Sequence, residues 1–318
     1  MITYNHERFI AQAIESVLMQ ETAFPIELVI GEDCSTDGTR EIVRRYAGSR
    51  ADIVRPLLHE RNLGMHANFD TVLKACRGDY LAILEGDDYW TGVQKLQMQA
   101  DFLDEHPKFS MCFHRVRFVI DGQQDAFFEE PPPERRCHRE LESLLRDNSI
   151  ATCSVMVRRS CLPEPALDFS SLRIGDYPMW ILAARQGPAG YLDETMGDHR
   201  FHGGGVWTAM RGEQRCLAEA DMFDWIQPRI PARFRIIARQ SSRQRRKEAR
   251  MMKHLCHVRE AQAGASRGHQ LFALANCAAA MPAILLWRPF LSEAAAIVLG
   301  PRLKMVIKRG LARASGAR

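Results

Sequence analysis

Short apolar runs alternate with helically spaced apolar positions along the first third of the chain. The runs have the length of strands and end at polar residues; they cover residues 1–3, 26–30, 53–59 and 80–84. Between them, apolar residues recur every three to four positions, which predicts amphipathic helices at residues 7–20, 37–46 and 65–76. This alternation predicts an α/β fold, with a doubly wound, mainly parallel sheet.

The most informative strand is followed by a cluster of acids. Residues 81–90 read LAILEGDDYW, so the apolar run ends at Glu85, Asp87 and Asp88. A run that is apolar on both faces is typical of a strand inside a parallel or mixed sheet. Carboxylates at the carboxyl end of such a strand can share Mg²⁺ or Mn²⁺ with phosphate oxygens. The alternative is a solvated acidic turn around Gly86.

The other polar loops of this part also follow strands. Because the carboxyl ends of parallel strands meet at one edge of a sheet, we expect these loops to gather there. They carry Thr3, Tyr4, Asn5, Glu7, Glu32, Asp33, Arg61, Asn62 and Gly64. Ordinary turn chemistry is the alternative for Asp33, Asn62 and Gly64.

The middle of the chain continues with helices and strands. We predict helices at residues 93–105, 137–146 and 173–187, strands at 109–120, 154–157 and 191–198, and an irregular loop at 131–133. Asp176 falls at or near the start of the third helix, where it either faces the crevice or caps the helix. His202 precedes three glycines, and the pattern is helical from about residue 210.

The charged residues divide the chain into an acidic amino-terminal part and a basic carboxy-terminal part. Residues 1–228 carry 24 Lys and Arg against 36 Asp and Glu, whereas residues 229–318 carry 19 against 3. Residues 271–287 are uncharged but contain Pro282 and are shorter than the roughly 20 residues that a spanning helix needs. We therefore expect residues 265–318 to contact a membrane peripherally. A helical subdomain is the alternative, and no aromatic interleaving supports nucleic-acid binding.

Cysteine usage and the amino terminus point to the cytoplasm. The nine cysteines include no C-x-x-C pair, and their odd number argues against a disulfide framework, so we expect reduced thiols. No basic region followed by an apolar core is visible at the start, so no signal peptide is expected. We expect a cytoplasmic protein, with possible contact to the inner face of the cell membrane through its tail.

Six stretches follow one another along the chain: ITYNHERFIAQAIESVLMQ, ELVIGEDCSTDGT, NLGMHANF, GDYLAILEGDDYW, GDYPMW and HRFHGGGVW. Taken together and in this order, they resemble the family 2 glycosyltransferases, which are inverting enzymes of the GT-A fold. The resemblance implies a GT-A domain at residues 1–210, with a nucleotide-sugar half at about 1–106 and an acceptor half at about 107–210. Residues 211–318 would form a helical, basic and partly apolar region.

The resemblance also implies roles for individual residues. Asp176 matches the catalytic base. Asp87 and Asp88 match the metal motif, His202 an additional contact to the diphosphate or metal, and Glu85 a position that is more often aspartate. The residues implied in nucleotide-sugar binding are Thr3, Tyr4, Asn5, Glu7, Asp33, Arg61, Asn62, Gly64 and Asp87. The division of labour among Glu85, Asp87 and Asp88 stays open.

The implied activity is metal-dependent sugar transfer. The cofactor would be Mg²⁺ or Mn²⁺, the donor a nucleotide-diphosphate sugar (a UDP-sugar favoured), and the acceptor a saccharide or lipid-linked hydroxyl in bacterial surface polysaccharide or glycoconjugate synthesis. A sugar nucleotidyltransferase or an inactive nucleotide-sugar-binding protein are the alternatives. The family has a full strand before its T-Y-N, whereas only Met1 and Ile2 precede Thr3 here. We expect either an upstream start or a shortened first strand.

Overall fold

A parallel three-stranded sheet opens the fold. The computed structural model describes residues 1–120, 126–162 and 169–261. Strands β1 (Ile2–Thr3), β2 (Leu28–Glu32) and β3 (Val54–Leu58) lie side by side in that order. All five residues of β2 are buried, as expected for the central strand. Strand β1 comprises two residues.

Helices connect these strands as the periodicity predicts. They are α1 (Ile10–Leu18), α2 (Thr39–Ser49) and α3 (Met65–Ala75). Ile10 and Ile14 of α1 and Val43 of α2 belong to the same buried core as Ile30 of β2. The predicted α/β fold with a parallel sheet is confirmed.

A second, six-stranded sheet follows and is mixed. It comprises β4 (Tyr80–Ala82), β5 (Tyr89–Trp90), β6 (Met111–Ile120), β7 (Ala126–Glu130), β8 (Met156–Arg158) and β9 (Ala189–Phe201). The order is β4-β8-β6-β9-β5, with β7 also on β6, and β6 and β9 form the parallel pair. A single parallel bridge between Ile2 and Glu85 joins the two sheets. The acidic loop after β4 therefore lies beside the end of β1.

The remaining helices differ more from the sequence-based bounds. They are α4 (Lys95–Glu105), α5 (Leu141–Leu144), α6 (Asp176–Ala183), α7 (Val206–Ala209), α8 (Gly212–Ile226) and α9 (Arg235–Ala261). The helix predicted at residues 137–146 is a single turn. In α6 every residue after Asp176 is buried, so Asp176 is the polar start of a core helix.

The chain forms two compact units. The first comprises Met1–Ala209 and Asp221–Ser242, and the second comprises Met210–Ala220 and the chain from Arg243 onward. The domain boundary predicted near residue 210 stays a prediction. Among the helices of the described residues, none combines the length and apolarity needed to cross a membrane. Residues 265–318, for which membrane contact is predicted, lie outside the described residues.

Candidate active site

Side-chain hydrogen bonds tie the loop after β1 to the loop after β2. Asn5 adopts a left-handed φ of 55°, and its Oδ1 accepts a hydrogen bond from the Thr36 amide at 2.8 Å. Glu7 Oε2 accepts one from the Gly38 amide at 2.7 Å. These two predicted site residues therefore hold the loops together, which confirms that the loops share one edge of the sheet.

Asp33 ties the loop after β2 to the loop after β3. Its two carboxylate oxygens accept hydrogen bonds from the amides of Leu63, at 2.7 Å, and Gly64, at 3.0 Å. Gly64 has a φ of 82°, a conformation that favours glycine, and its amide also donates to Asn62 Oδ1 at 2.9 Å. A carboxylate has about four acceptor positions, so Asp33 can still accept a hydrogen bond from a ligand.

Tyr4 and Arg61 are two predicted donor-site residues with exposed side chains. Tyr4 is 42% exposed, and Arg61 is exposed as well. Within the described residues, neither makes a hydrogen bond to another predicted site residue. Both border loops that are themselves fixed, so they are available to a ligand in the crevice.

Gly86 brings the acidic loop against β1. Its amide donates to the Ile2 carbonyl at 3.0 Å. A Cβ at this position would lie 2.7 Å from Thr3 Oγ1 and 3.0 Å from His6 Nδ1. Only glycine allows this close approach. The approach brings Thr3 and His6 beside the metal motif.

Asp87 lies between two histidines. Its Oδ2 is 2.9 Å from His202 Nε2 and 3.7 Å from His6 Nε2, and its side chain keeps 19% of its surface exposed. Burial alone would raise the pKa of Asp87, but the hydrogen bond to His202 and the charge of His6 lower that pKa overall. Asp87 therefore offers an ionised carboxylate, beside an imidazole nitrogen, to the crevice.

Asp88 points in a different direction and is nearly completely buried, with 1% exposed. Its Oδ2 lies 2.8 Å from His199 Nδ1, and its Oδ1 accepts a hydrogen bond from the Arg200 amide at 2.9 Å. Burial would lower the pKa of His199, but the nearby carboxylate of Asp88 raises it to about 9. Asp88 thus attaches the acidic loop to β9.

Three polar atoms around Gly86 lack partners. Among the described residues, the buried atoms Thr3 Oγ1, His6 Nδ1 and Glu85 Oε2 make no hydrogen bond. Burial, followed by the charges of Asp88, Asp87 and Asp176, raises the pKa of Glu85 well above its usual value. Unpaired buried polar atoms are costly, and a bound ligand is one explanation for them. The donor set of Asp87 and His202, with these atoms around it, fits a divalent ion bound together with phosphate oxygens.

Asp176 is the first residue of α6, one position after its N-cap Gly175. Its Oδ1 accepts a hydrogen bond from the Tyr177 amide at 2.7 Å, and its Oδ2 accepts one from the Thr152 hydroxyl at 2.6 Å. Its charge contributes to the raised pKa of Glu85, so the two carboxyl groups lie within electrostatic reach of each other. Thr152, which contacts Asp176, precedes Cys153, and the Cys153 sulfur lies within 4.8 Å of a carboxylate oxygen of Asp88, so Asp176 borders the acidic loop.

Four residues near this site were not predicted. His6 stands inside the first motif, so its polar position in a strand-end loop was the available signal. Thr152, Cys153 and His199 are far from LAILEGDDYW in sequence. The pairing of β8 with β4 and of β9 with β5 brings their segments near it. His199 begins the HRFHGGGVW stretch, whereas no local pattern marks Thr152 or Cys153.

Comparisons with known proteins identify the family and the fold of the chain. A sequence profile described as "Glycosyl transferase family 2" matches residues 1–161. An uncharacterised protein of Mycobacterium tuberculosis H37Rv is 40% identical over 217 residues, which cover 67% of this chain and 61% of that protein. The chain thus matches about three fifths of that relative's length.

Two solved structures share the fold. Staphylococcus aureus TarS 1–349 in complex with UDP-GlcNAc has a TM-score of 0.54 at 18% identity, covering 93% of this chain and 80% of that chain. TarS, a poly(ribitol-phosphate) β-N-acetylglucosaminyltransferase, also matches in sequence, at 29% identity over 135 residues, 42% of this chain and 23% of the full protein. Mannosyltransferase PcManGT from Pyrobaculum calidifontis, with GDP-Man and Mn²⁺, has a TM-score of 0.56 at 16% identity, covering 96% and 85% of the two chains.

Proposed function

The chain belongs to glycosyl transferase family 2, and from this premise we propose that it transfers a sugar, with inversion, from a nucleotide-diphosphate sugar to an acceptor hydroxyl. The observation that carries the proposal is the contact between Asp87 and His202, which lies beside the linked loops after β1, β2 and β3. Asp176 supplies a carboxylate within electrostatic reach of the same site. The arrangement fits a donor held by the loops and an acceptor hydroxyl that approaches Asp176.

In this proposal Asp87 and His202 hold the divalent ion, Mg²⁺ or Mn²⁺. The ion would neutralise the charge that develops on the leaving nucleoside diphosphate. Asp88 is a less suitable ligand for an ion shared with a phosphate, because its carboxylate is buried and accepts hydrogen bonds from β9. Asp88 instead fixes the position of Asp87, whose carbonyl also accepts a hydrogen bond from Arg200 at 2.5 Å.

The chain's own polar atoms bind the rest of the donor. Thr3 Oγ1 and His6 Nδ1 lack partners among the described residues and lie beside Gly86, so both can meet diphosphate or ribose oxygens. Tyr4 and Arg61 extend from the same edge, and Asp33 with Asn62 and Gly64 shapes the base side. Burial and the nearby charges of Asp88 and Asp87 raise the pKa of Glu85, which favours its neutral form as long as no cation lies beside it.

Asp176 acts as the general base on the acceptor side. Hydrogen bonds from Thr152 and from the Tyr177 amide orient its carboxylate. The carboxylate takes the proton of the acceptor hydroxyl as that oxygen attacks the anomeric carbon, while the bond to the diphosphate breaks. A single displacement of this kind inverts the anomeric configuration.

We favour a UDP-sugar as donor and a polymer or lipid-linked saccharide as acceptor. TarS, which matches this chain in both sequence and fold, was solved with UDP-GlcNAc, and its name states that it acts on a poly(ribitol-phosphate). PcManGT was solved with GDP-Man, so GDP-sugars belong in the same test. The basic and apolar residues 265–318 support peripheral membrane contact near a lipid-linked acceptor.

A screen of nucleotide-sugar donors, run on the wild type and on a variant that lacks the proposed general base, tests the proposal. We expect one or more nucleotide-sugars to be consumed with release of the nucleoside diphosphate, and the product to have the opposite anomeric configuration by NMR. Asp176→Asn should lower turnover by about 100-fold or more without loss of donor binding. Asp193→Asn, a change at an exposed acid of β9, should keep the wild-type rate. Pyrophosphate release would indicate a nucleotidyltransferase, and full turnover by Asp176→Asn would refute the assigned base.

A further inference from the structure

Asp88, Cys153 and His199 form a compact cluster that holds neither the donor nor the acceptor in the proposed reaction. The three come from separate segments: the loop after β4, the turn that precedes β8, and β9. Their potential ligand atoms all lie within 4.8 Å of one another, and Asp88 Oδ2 is 2.8 Å from His199 Nδ1. The cluster is therefore an oxygen, a sulfur and a nitrogen donor around one point.

We propose that Asp88, Cys153 and His199 form a second metal site, selective for Zn²⁺ over Mg²⁺, beside the ion site of Asp87 and His202. Thiolate and imidazole ligands favour Zn²⁺, whereas Mg²⁺ requires oxygen ligands in near-octahedral geometry. A mixed set of carboxylate, thiolate and imidazole ligands is suited to tetrahedral zinc. Mg²⁺ that accompanies a donor diphosphate would therefore not bind at this second site.

Glu85 provides a second observation in favour of a ligand here. Its Oε2 is buried and has no hydrogen-bond partner among the described residues. The Asp88 amide donates a hydrogen bond to the Glu85 carbonyl at 3.2 Å, so the two acids lie in one tight turn. Tetrahedral zinc needs a fourth ligand, and either Glu85 or water can supply it. A bound cation would also offset the repulsion between these two acids.

The cluster is most exposed at His199. Asp88 and Cys153 are buried, whereas the His199 side chain is 32% exposed, so an ion would enter past His199. Ligand atoms around tetrahedral zinc lie about 3.4 Å apart, given bonds of about 2.0–2.3 Å, so Asp88 and His199 would separate by roughly half an ångström. Binding releases the thiol proton of Cys153 and the Nδ1 proton of His199 to solvent.

Cobalt spectroscopy tests the site without any donor or turnover. Co²⁺ substitutes for Zn²⁺, and we expect the whole chain to show a near-ultraviolet thiolate-to-cobalt band that Zn²⁺ abolishes and excess Mg²⁺ does not. The Cys153→Ser variant should lose that band. Asp87→Asn should keep it, which separates this site from the donor ion site.

Two further variants keep the test decisive. Cys112→Ser is the matched control, because Cys112 is an equally buried thiol that lies outside the cluster; this variant should keep the band. His199→Gln should weaken cobalt binding at least tenfold, which provides a readout if Cys153→Ser does not fold. A band that survives in Cys153→Ser, or cobalt binding with no thiolate band, would overturn the proposal. Neither result depends on whether the chain transfers a sugar.

Discussion

Lys95 lies under the aromatic ring that follows the metal motif, and its replacement should stabilise the protein. The side chain is fully buried, Nζ lies 3.8 Å from the centre of the Trp90 ring, and it has no hydrogen-bond partner among the described residues. Burial lowers the pKa of Lys95 from 10.5 to about 7. Trp90 in turn donates to the Cys153 carbonyl at 2.8 Å, so Lys95 supports a residue next to the site.

The magnitude follows from the pKa. The unfolded chain keeps the Lys95 proton up to about pH 10.5 and the folded chain loses it near pH 7, so stability rises with pH across this window. Lowering the pKa of Lys95 by this amount destabilises the folded protein by roughly 4 kcal/mol at pH 7. This destabilisation is fully present below pH 7 and absent above the pKa of Lys95 in the unfolded chain. Burial sets this cost; attraction of the ammonium group to the desolvated Trp90 face offsets about 2 kcal/mol of it and raises the folded pKa of Lys95 accordingly. About 2 kcal/mol of destabilisation remains.

Lys95→Met removes the charge and keeps the length of the side chain. We expect the free energy of unfolding to rise by about 2 kcal/mol at pH 7, and this gain to shrink as the pH approaches 10. Urea unfolding followed by fluorescence at several pH values measures both. Burial raises the pKa of Cys112 to about 12 and lowers that of His114 far below neutral, so neither titrates in this window.

Lys74→Met is the control for this prediction. Lys74 is a largely exposed helix residue paired with Asp70, so its replacement should change stability by less than about 0.5 kcal/mol at every pH. A Lys95→Met variant that is less stable than wild type at all pH values would refute the reasoning. That result would mean that the buried ammonium group is well satisfied.

Two further predictions concern the same crevice. Gly86→Ala should destabilise the fold by about 1–3 kcal/mol in thermal melts, because its Cβ would meet Thr3 Oγ1 at 2.7 Å; Gly48→Ala, with nothing within 4 Å, should stabilise by about 0.5–1 kcal/mol. Equal changes in melting temperature for Gly86→Ala and Gly48→Ala would contradict this prediction. Asp198→Asn should lower the pKa of Tyr89, which burial and the 2.6 Å hydrogen bond to Asp198 raise to about 12. An unchanged ultraviolet titration of Tyr89 would disprove that link.

The first sheet was the part of the fold that the sequence predicted well. Each of β1, β2 and β3 is followed by a polar loop and a helix with regular apolar spacing, so local patterns sufficed. The helix bounds moved by a few residues; α1, for example, begins at Ile10 instead of residue 7. The helix predicted at residues 137–146 failed because Leu141, Leu144 and Leu145 pack in the core from a single turn, and apolar spacing alone does not reveal that.

The candidate site was predicted only in part, for a physical reason. Loops that follow parallel strands must share an edge, so the grouping of Asn5 and Asp33 with the acidic motif could be foreseen. The different contacts of Asp87 and Asp88 could not be predicted, because they depend on where β9 places His199 and His202. That placement is a long-range pairing: β9 lies between β6 and β5 in the second sheet. Adjacent acids look equivalent in a sequence.

The central claim is that Asp87 and His202 hold the ion that binds the donor diphosphate. Calorimetric titration of UDP, and separately GDP, into the protein with and without Mn²⁺ tests it most directly, with Asp87→Asn as the variant and Asp193→Asn as the control. We predict that Mn²⁺ strengthens binding of one nucleotide at least tenfold in the wild type and in Asp193→Asn, and that Asp87→Asn loses this gain. An equal Mn²⁺ gain in Asp87→Asn, or no binding of either nucleotide by the wild type, would contradict the account.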